Sequence, residues 1–114
     1  MLYNTFNMTR EKLTEILEAL RAGVAELMGD RLEAVYLYGS QARGDTRPDS
    51  DIDVLVVIRG DFDYFDLIEK TGLLVSILSL DNDTVIALAF VSKENYDKRQ
   101  IPFLMNIRRE GVLV

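Results

Sequence analysis

Residues 38–53 read YGSQARGDTRPDSDID, between the apolar runs AVYLY (34–38) and VLVVI (54–58). Short apolar runs bounded by Gly, Ser and Asp are the pattern of buried strands. The stretch is therefore read as strand–loop–strand. The strands run from Leu32 to Tyr38 and from Asp51 to Ile58, and Gly44 and Pro48 are turn residues of the Gly39–Ser50 loop. Beyond its first residues the second strand is apolar on both faces, so it is expected to be central and covered on both sides. It opens with Asp51 and Asp53. A pair of acids at the mouth of the most hydrophobic strand has no structural use unless something positive binds it.

Outward from this unit, TREKLTEILEALRAGVAELMG (9–29) carries Leu13, Ile16, Leu17, Leu20, Val24 and Leu27 at three- and four-residue steps. That is one apolar helical stripe, with Thr9 as N-cap, Gly29 as stop and Gly23 a weak interior point. After Arg59 and Gly60, Asp61 is placed to cap a helix over Phe62–Ser79, whose later half is apolar nearly all round. DNDTVIALAFV (81–91) reads as a turn and a third strand. Ser92 caps a short helix through Arg99, and Pro102 opens a last helix, PFLMNIRRE, which Gly111 stops. The order is α-β-β-α-β-α-α. The expected fold is α+β, a small mixed β-sheet flanked by helices, in a single domain over residues 1–114. Met8 is read as a candidate functional start.

Composition narrows the chemistry. At 114 residues, 48% apolar and 28% charged, the chain suits one modest core rather than disorder. The net charge of −6 argues against non-specific binding of DNA or RNA, which needs a basic footprint. It does not exclude nucleotides. With no Cys and no His, disulfides, thiol chemistry and Cys-based zinc sites are excluded, and metal ligands must be oxygens, which favours Mg²⁺ or Mn²⁺. No apolar run approaches a membrane span and the N-terminus lacks a signal-peptide pattern, so the chain is expected in the cytoplasm.

Alternation along a strand projects Asp51 and Asp53 to one side. Two carboxylates about 5 Å apart repel by roughly 3 kcal/mol at an effective dielectric near 20. Divalent cations between them reverse that cost, and paired metals about 4 Å apart are a common device for moving phosphoryl and nucleotidyl groups. Gly39 and Ser40 suit the phosphate side of such chemistry. Gly lets backbone N–H groups approach a phosphate, and Ser adds a hydroxyl. A helical turn starting near Ser40 would add a favourable dipole. Arg43 and Arg47 suit triphosphate charge, or brace the loop as ion pairs. Each piece alone has an ordinary structural reading; their combination carries the information.

GSQARGDTRPDSDID resembles the signature of the minimal nucleotidyltransferase (MNT) family in the DNA polymerase β-like superfamily. The pattern, Gly-Ser, ten residues, Asp-x-Asp, stands here as Gly39-Ser40 through Asp51-Ile52-Asp53. The resemblance implies a polymerase β-like nucleotidyltransferase core and transfer of a nucleoside monophosphate from an NTP, ATP foremost, to an acceptor hydroxyl. It implies Gly39 and Ser40 at the triphosphate, to which the charge reading adds Arg43, and two Mg²⁺ ions on Asp51 and Asp53. It also implies a third carboxylate from a later strand. The third strand holds no acid, so Asp83, just ahead of it, is the first candidate for that catalytic and metal-binding place and Asp81 the next; both also suit the turn itself.

A domain this small has little surface for a second substrate pocket, so an acceptor that brings its own recognition, such as a protein, is favoured. The resemblance extends to the MntA-like antitoxins of HEPN/MNT toxin–antitoxin pairs, which implies a HEPN-domain partner, AMP transfer to one of its tyrosines, and an oligomer with that partner or of the chain itself. Two alternatives stay open: an antitoxin that neutralises its partner by contact alone, and a nucleotidyltransferase for a small alcohol. Tyr36 and Tyr38 are read as strand aromatics, with base stacking the alternative, Phe62, Tyr64 and Phe65 as packing at a helix start, and Arg108 and Arg109 as last-turn residues that complement the helix dipole, with partner binding secondary.

Overall fold

The computed structural model describes residues 9–44 and 51–114. Met8 and Arg47 lie outside the described residues. Helix α1 (Arg10–Met28) starts where Thr9 accepts the Lys12 N–H at 3.0 Å, and ends at Gly29 with φ at 58°. A single 3₁₀ turn (Gly29–Arg31) leads into β1 (Leu32–Tyr38). There follow α2 (Gly39–Arg43), β2 (Ile52–Ile58), α3 (Tyr64–Asp81), β3 (Ile86–Ser92), α4 (Lys93–Lys98), α5 (Pro102–Glu110) and β4 (Val112–Leu113).

The sheet order is β3-β2-β1-β4. β1 runs antiparallel to both β2 and β4, while β2 and β3 are parallel, so the sheet is mixed. As its composition requires, β2 is internal, and six of its seven residues are buried. One face, with Val35, Leu37, Ile52, Val54, Val56 and Ile58, packs on Ile16, Leu20 and Val24 of α1 and Leu67 of α3. The opposite face, with Ala34, Leu55 and Val57, is covered by Leu104 and Ile107 of α5. Two-sided burial of a β-branched strand makes β2 the rigid spine of the molecule, and Asp53 stands at its second residue.

Several local expectations change. Asp63 rather than Asp61 caps α3, its carboxylate accepting from the N–H groups of Phe65 and Asp66. Phe62 and Tyr64 pack near Phe90, but Phe65 is 85% exposed and packs little. Met28 replaces Leu27 on the buried stripe of α1. The apolar later half of α3 is not enclosed: Leu73 and Leu80 are 73% and 81% exposed, while Leu74 packs against the core. Gly23 has a packing reason, since a Cβ there would stand 2.6 Å from Leu74 Cδ1. After Gly111 the chain adds β4, whose two residues pair with Leu37 and Tyr36. Arg108 braces the connection between α4 and α5 by donating to the carbonyls of Tyr96 and Arg99.

The corrected cap has a measurable consequence. Asp63→Ala should lower stability by about 1 kcal/mol in urea denaturation, because two N–H groups lose their acceptor. Asp61→Ala should shift the midpoint much less.

Candidate functional site

The antiparallel register of β1 and β2 sets Tyr38 beside Asp53, so the chain that leaves β1 at Gly39 starts against the acid that opens β2. Gly39 has φ at 75°, a region unfavourable to residues with a Cβ. A Cβ on it would also lie 2.5 Å from Asp53 Oδ2. With no side chain at residue 39, the carboxylate lies in the space a Cβ would need. From that point the backbone turns into α2. Tyr38 supplies no capping side chain to it, and at its far end the Ser40 carbonyl accepts the Gly44 N–H at 3.0 Å. The expected loop thus begins as a short helix.

Electrostatics mark the acids. The Asp53 carboxyl is pushed above its ordinary range, first by burial and then by the charge of Asp51. Tyr38 is likewise raised, first by burial and then by Asp53. An acid pair whose second proton is held this way gains from a cation. The donor set is carboxylate oxygen in a chain without His or Cys, which fits Mg²⁺ better than zinc or copper.

The structure brings together Gly39, Asp51 and Asp53, with Ser40 and Arg43 on the short helix beside them. It leaves Asp83 outside. Asp83 is exposed, with φ at 48°, and its N–H reaches the Leu80 carbonyl at 3.4 Å, so it makes the turn between α3 and β3. Asp81 is the exposed last residue of α3. The parallel register places Ala87 beside Asp53 and Ala89 beside Leu55, so the positions on β3 that could complete an acid cluster carry methyl groups. Among the described residues no three acidic side chains come together to hold a metal ion.

A feature that sequence reasoning missed adjoins the acids. A cleft of about 140 Å³ lies between α5 and the end of β1, lined by Tyr38, Gly39, Arg43, Phe103, Asn106 and Glu110. Its one signal in the sequence is the spacing of Phe103, Asn106 and Glu110, which lie on one face of a helix at three- and four-residue steps.

The nucleotidyltransferase domain family model matches residues 14–109, from the first turns of α1 to the last turn of α5. The chain belongs to the nucleotidyltransferase domain family. A Methanocaldococcus jannaschii relative with the provisional name protein adenylyltransferase is 39% identical over 83 residues, covering 71% of this chain and 76% of the relative. Another of that organism and provisional name is 35% identical over 48 residues, covering 42% of this chain and 48% of the relative. The chain thus spans about half the length of that second relative. A toxin–antitoxin crystal structure with AMP-PNP has a TM-score of 0.58 and 20% identity, covering 88% of this chain and 69% of that one. At that identity the match establishes the shared fold. No described helix of this nucleotidyltransferase is long and apolar enough to cross a membrane.

Two substitutions probe the contact. Gly39→Ala should cost about 1–2 kcal/mol of stability from backbone strain and displace the Asp53 carboxylate, read by chemical denaturation and by loss of Mg²⁺-dependent nucleotide binding. Asp53→Asn should act in the opposite direction on the metal-free protein. The Asp53 pKa is higher folded than unfolded, so stability falls as pH rises from the ordinary value of 3.8 through the folded value. The Asn variant should therefore be the more stable at pH 7, and the difference should shrink as pH is lowered toward 3.8.

Proposed function

We propose that this nucleotidyltransferase is a protein adenylyltransferase and the antitoxin of a two-protein pair, transferring AMP from ATP to a tyrosine hydroxyl of a HEPN-domain partner. The observation that carries the nucleotidyl-transfer reading is the contact between Gly39 and the Asp53 carboxylate, which joins a phosphate-approaching backbone to a metal-binding acid. The provisional names of the Methanocaldococcus relatives support a protein acceptor. The toxin–antitoxin structure with an ATP analogue supports the partner class and the nucleotide.

In this reading Asp51 and Asp53 hold Mg²⁺, which when bound offsets phosphate charge and favours departure of pyrophosphate. Gly39 and Ser40 receive the triphosphate through backbone N–H groups and a hydroxyl, and Arg43 adds a positive charge at the end of α2. The acceptor oxygen attacks the α-phosphorus. The bond from that phosphorus to the bridging oxygen breaks, pyrophosphate leaves with the electron pair, and the acceptor proton passes to Asp53 or to water. Asp51 and Asp53 would hold the Mg²⁺, and so small a protein donor set suits an ion that commonly takes only one or two carboxylates from the protein.

A second reading rests on Ala87, which stands beside Asp53 where a third acid would complete the cluster. On that reading the chain silences its partner by contact alone. The two diverge in one experiment with α-labelled ATP, Mg²⁺ and the protein encoded beside this chain. Transfer of label to the partner, reduced about 100-fold or more by Asp51→Asn or Asp53→Asn, is expected from losing several kcal/mol of metal stabilisation. Neutralisation without label, surviving both substitutions, would overturn adenylylation in favour of contact.

A further inference from the structure

We propose that the cleft between α5 and the end of β1 is the nucleobase subsite, and that Glu110 selects bases carrying an exocyclic amine. The inference rests on the reading of Asp51, Asp53 and Gly39 as the metal–triphosphate site. Gly39 and Arg43 border both that site and the cleft, so a nucleotide whose phosphates lie over α2 has its base within reach of α5.

The walls suit one flat ring. Tyr38 and Phe103 meet edge to face, with centroids 5.3 Å apart at 90°, and Phe103 keeps 43% of its surface open. An exposed aromatic face beside a phosphate site is a stacking platform. At about 140 Å³ the cleft is well below the size that encloses a whole drug-sized ligand and matches a portion of one. Its polar groups are oriented. Arg109 Nη2 donates to Asn106 Oδ1 at 2.7 Å, which commits the amide oxygen and leaves the amide N–H₂ as the donor. Glu110 offers carboxylate oxygens, held loosely by Arg109 at 3.9 Å. A donor and an acceptor four residues apart on one helix face meet a ring nitrogen and the amine beside it, as on the edge of adenine. A tyrosine acceptor ring has no amine for Glu110.

Calorimetry with Mg²⁺ and three ligands tests this: tripolyphosphate, ATP and inosine triphosphate. ATP and its inosine analogue share ring size and phosphates and differ at the amine, which becomes a carbonyl, and at the adjoining ring nitrogen of the six-membered ring, which gains a hydrogen. The expected result is ATP about 10-fold or more tighter than either other ligand. Phe103→Ala should bring ATP toward tripolyphosphate, and Glu110→Ala should lower the ATP-to-inosine ratio severalfold, with tripolyphosphate unchanged in both. Both side chains are exposed, so neither variant opens the core. Tripolyphosphate that binds as tightly as ATP, or an ATP-to-inosine ratio indifferent to Glu110→Ala, overturns the base subsite and leaves the phosphate reading standing. Failure of all three ligands to bind overturns the phosphate reading, and the subsite with it.

Discussion

A missing methyl group organises this molecule. Residue 39 turns the chain through positive φ, and a Cβ on it would stand 2.5 Å from Asp53 Oδ2, so glycine suits the position on both counts. The β1–β2 register brings the two close, because Tyr38 and Asp53 are cross-strand partners. The site is therefore a product of sheet geometry. Slip of β1 by one residue would move Tyr38 to the α1 face and carry Gly39 off the acid.

Holding two acids close together is unfavourable, and the fold supplies the rigidity that sustains it. Ile52, Val54, Leu55, Val56 and Ile58 are all fully buried between helices on both faces. Several tightly packed aliphatic side chains, each contributing roughly 1.5–3 kcal/mol of burial, fix the strand that carries the pair. The Asp53 carboxyl is raised first by its burial and then by the like charge of Asp51. A site strained in this sense is stabilised by its ligand, since a cation turns the local repulsion into attraction.

Much of this was legible in the sequence because it rests on local or strongly periodic signals. The stripe Ile16, Leu17, Leu20, Val24 and the caps at Thr9 and Ser92 are short-range chemistry, and the structure keeps them. β1 and the apolar body of β2 announce themselves by composition, and the Gly-Ser and Asp-x-Asp ends of their connection mark the site. What stays hidden depends on long-range pairing. β4 has only two residues and exists because the edge of β1 is open to it. Asp61 and Asp63 are both good caps, and which one serves depends on where packing of Leu67 starts the helix. Asp83 resembles a metal ligand by order along the chain, but the β2–β3 register gives its place beside Asp53 to Ala87. The cleft under α5 joins residues near 38 and near 106, a separation no local pattern spans.

The two faces of the sheet divide the work. The α1–α3 face is closed by interdigitated aliphatics and carries no acid from the site. The α5 face holds Asp53 and Tyr38 along with small residues, Ala34, Ala87 and Ala89, that keep it shallow. Larger β-branched residues at 87 and 89 would fill the approach to Asp53. A third carboxylate at 87 would bring one more like charge against Asp51 and Asp53. With alanine there, Asp51 and Asp53 stand without a third acid beside them among the described residues, and on the proposed reading a bound Mg²⁺ would draw its other ligands from phosphate and water. Metal and nucleotide should therefore bind as one unit, each weak without the other.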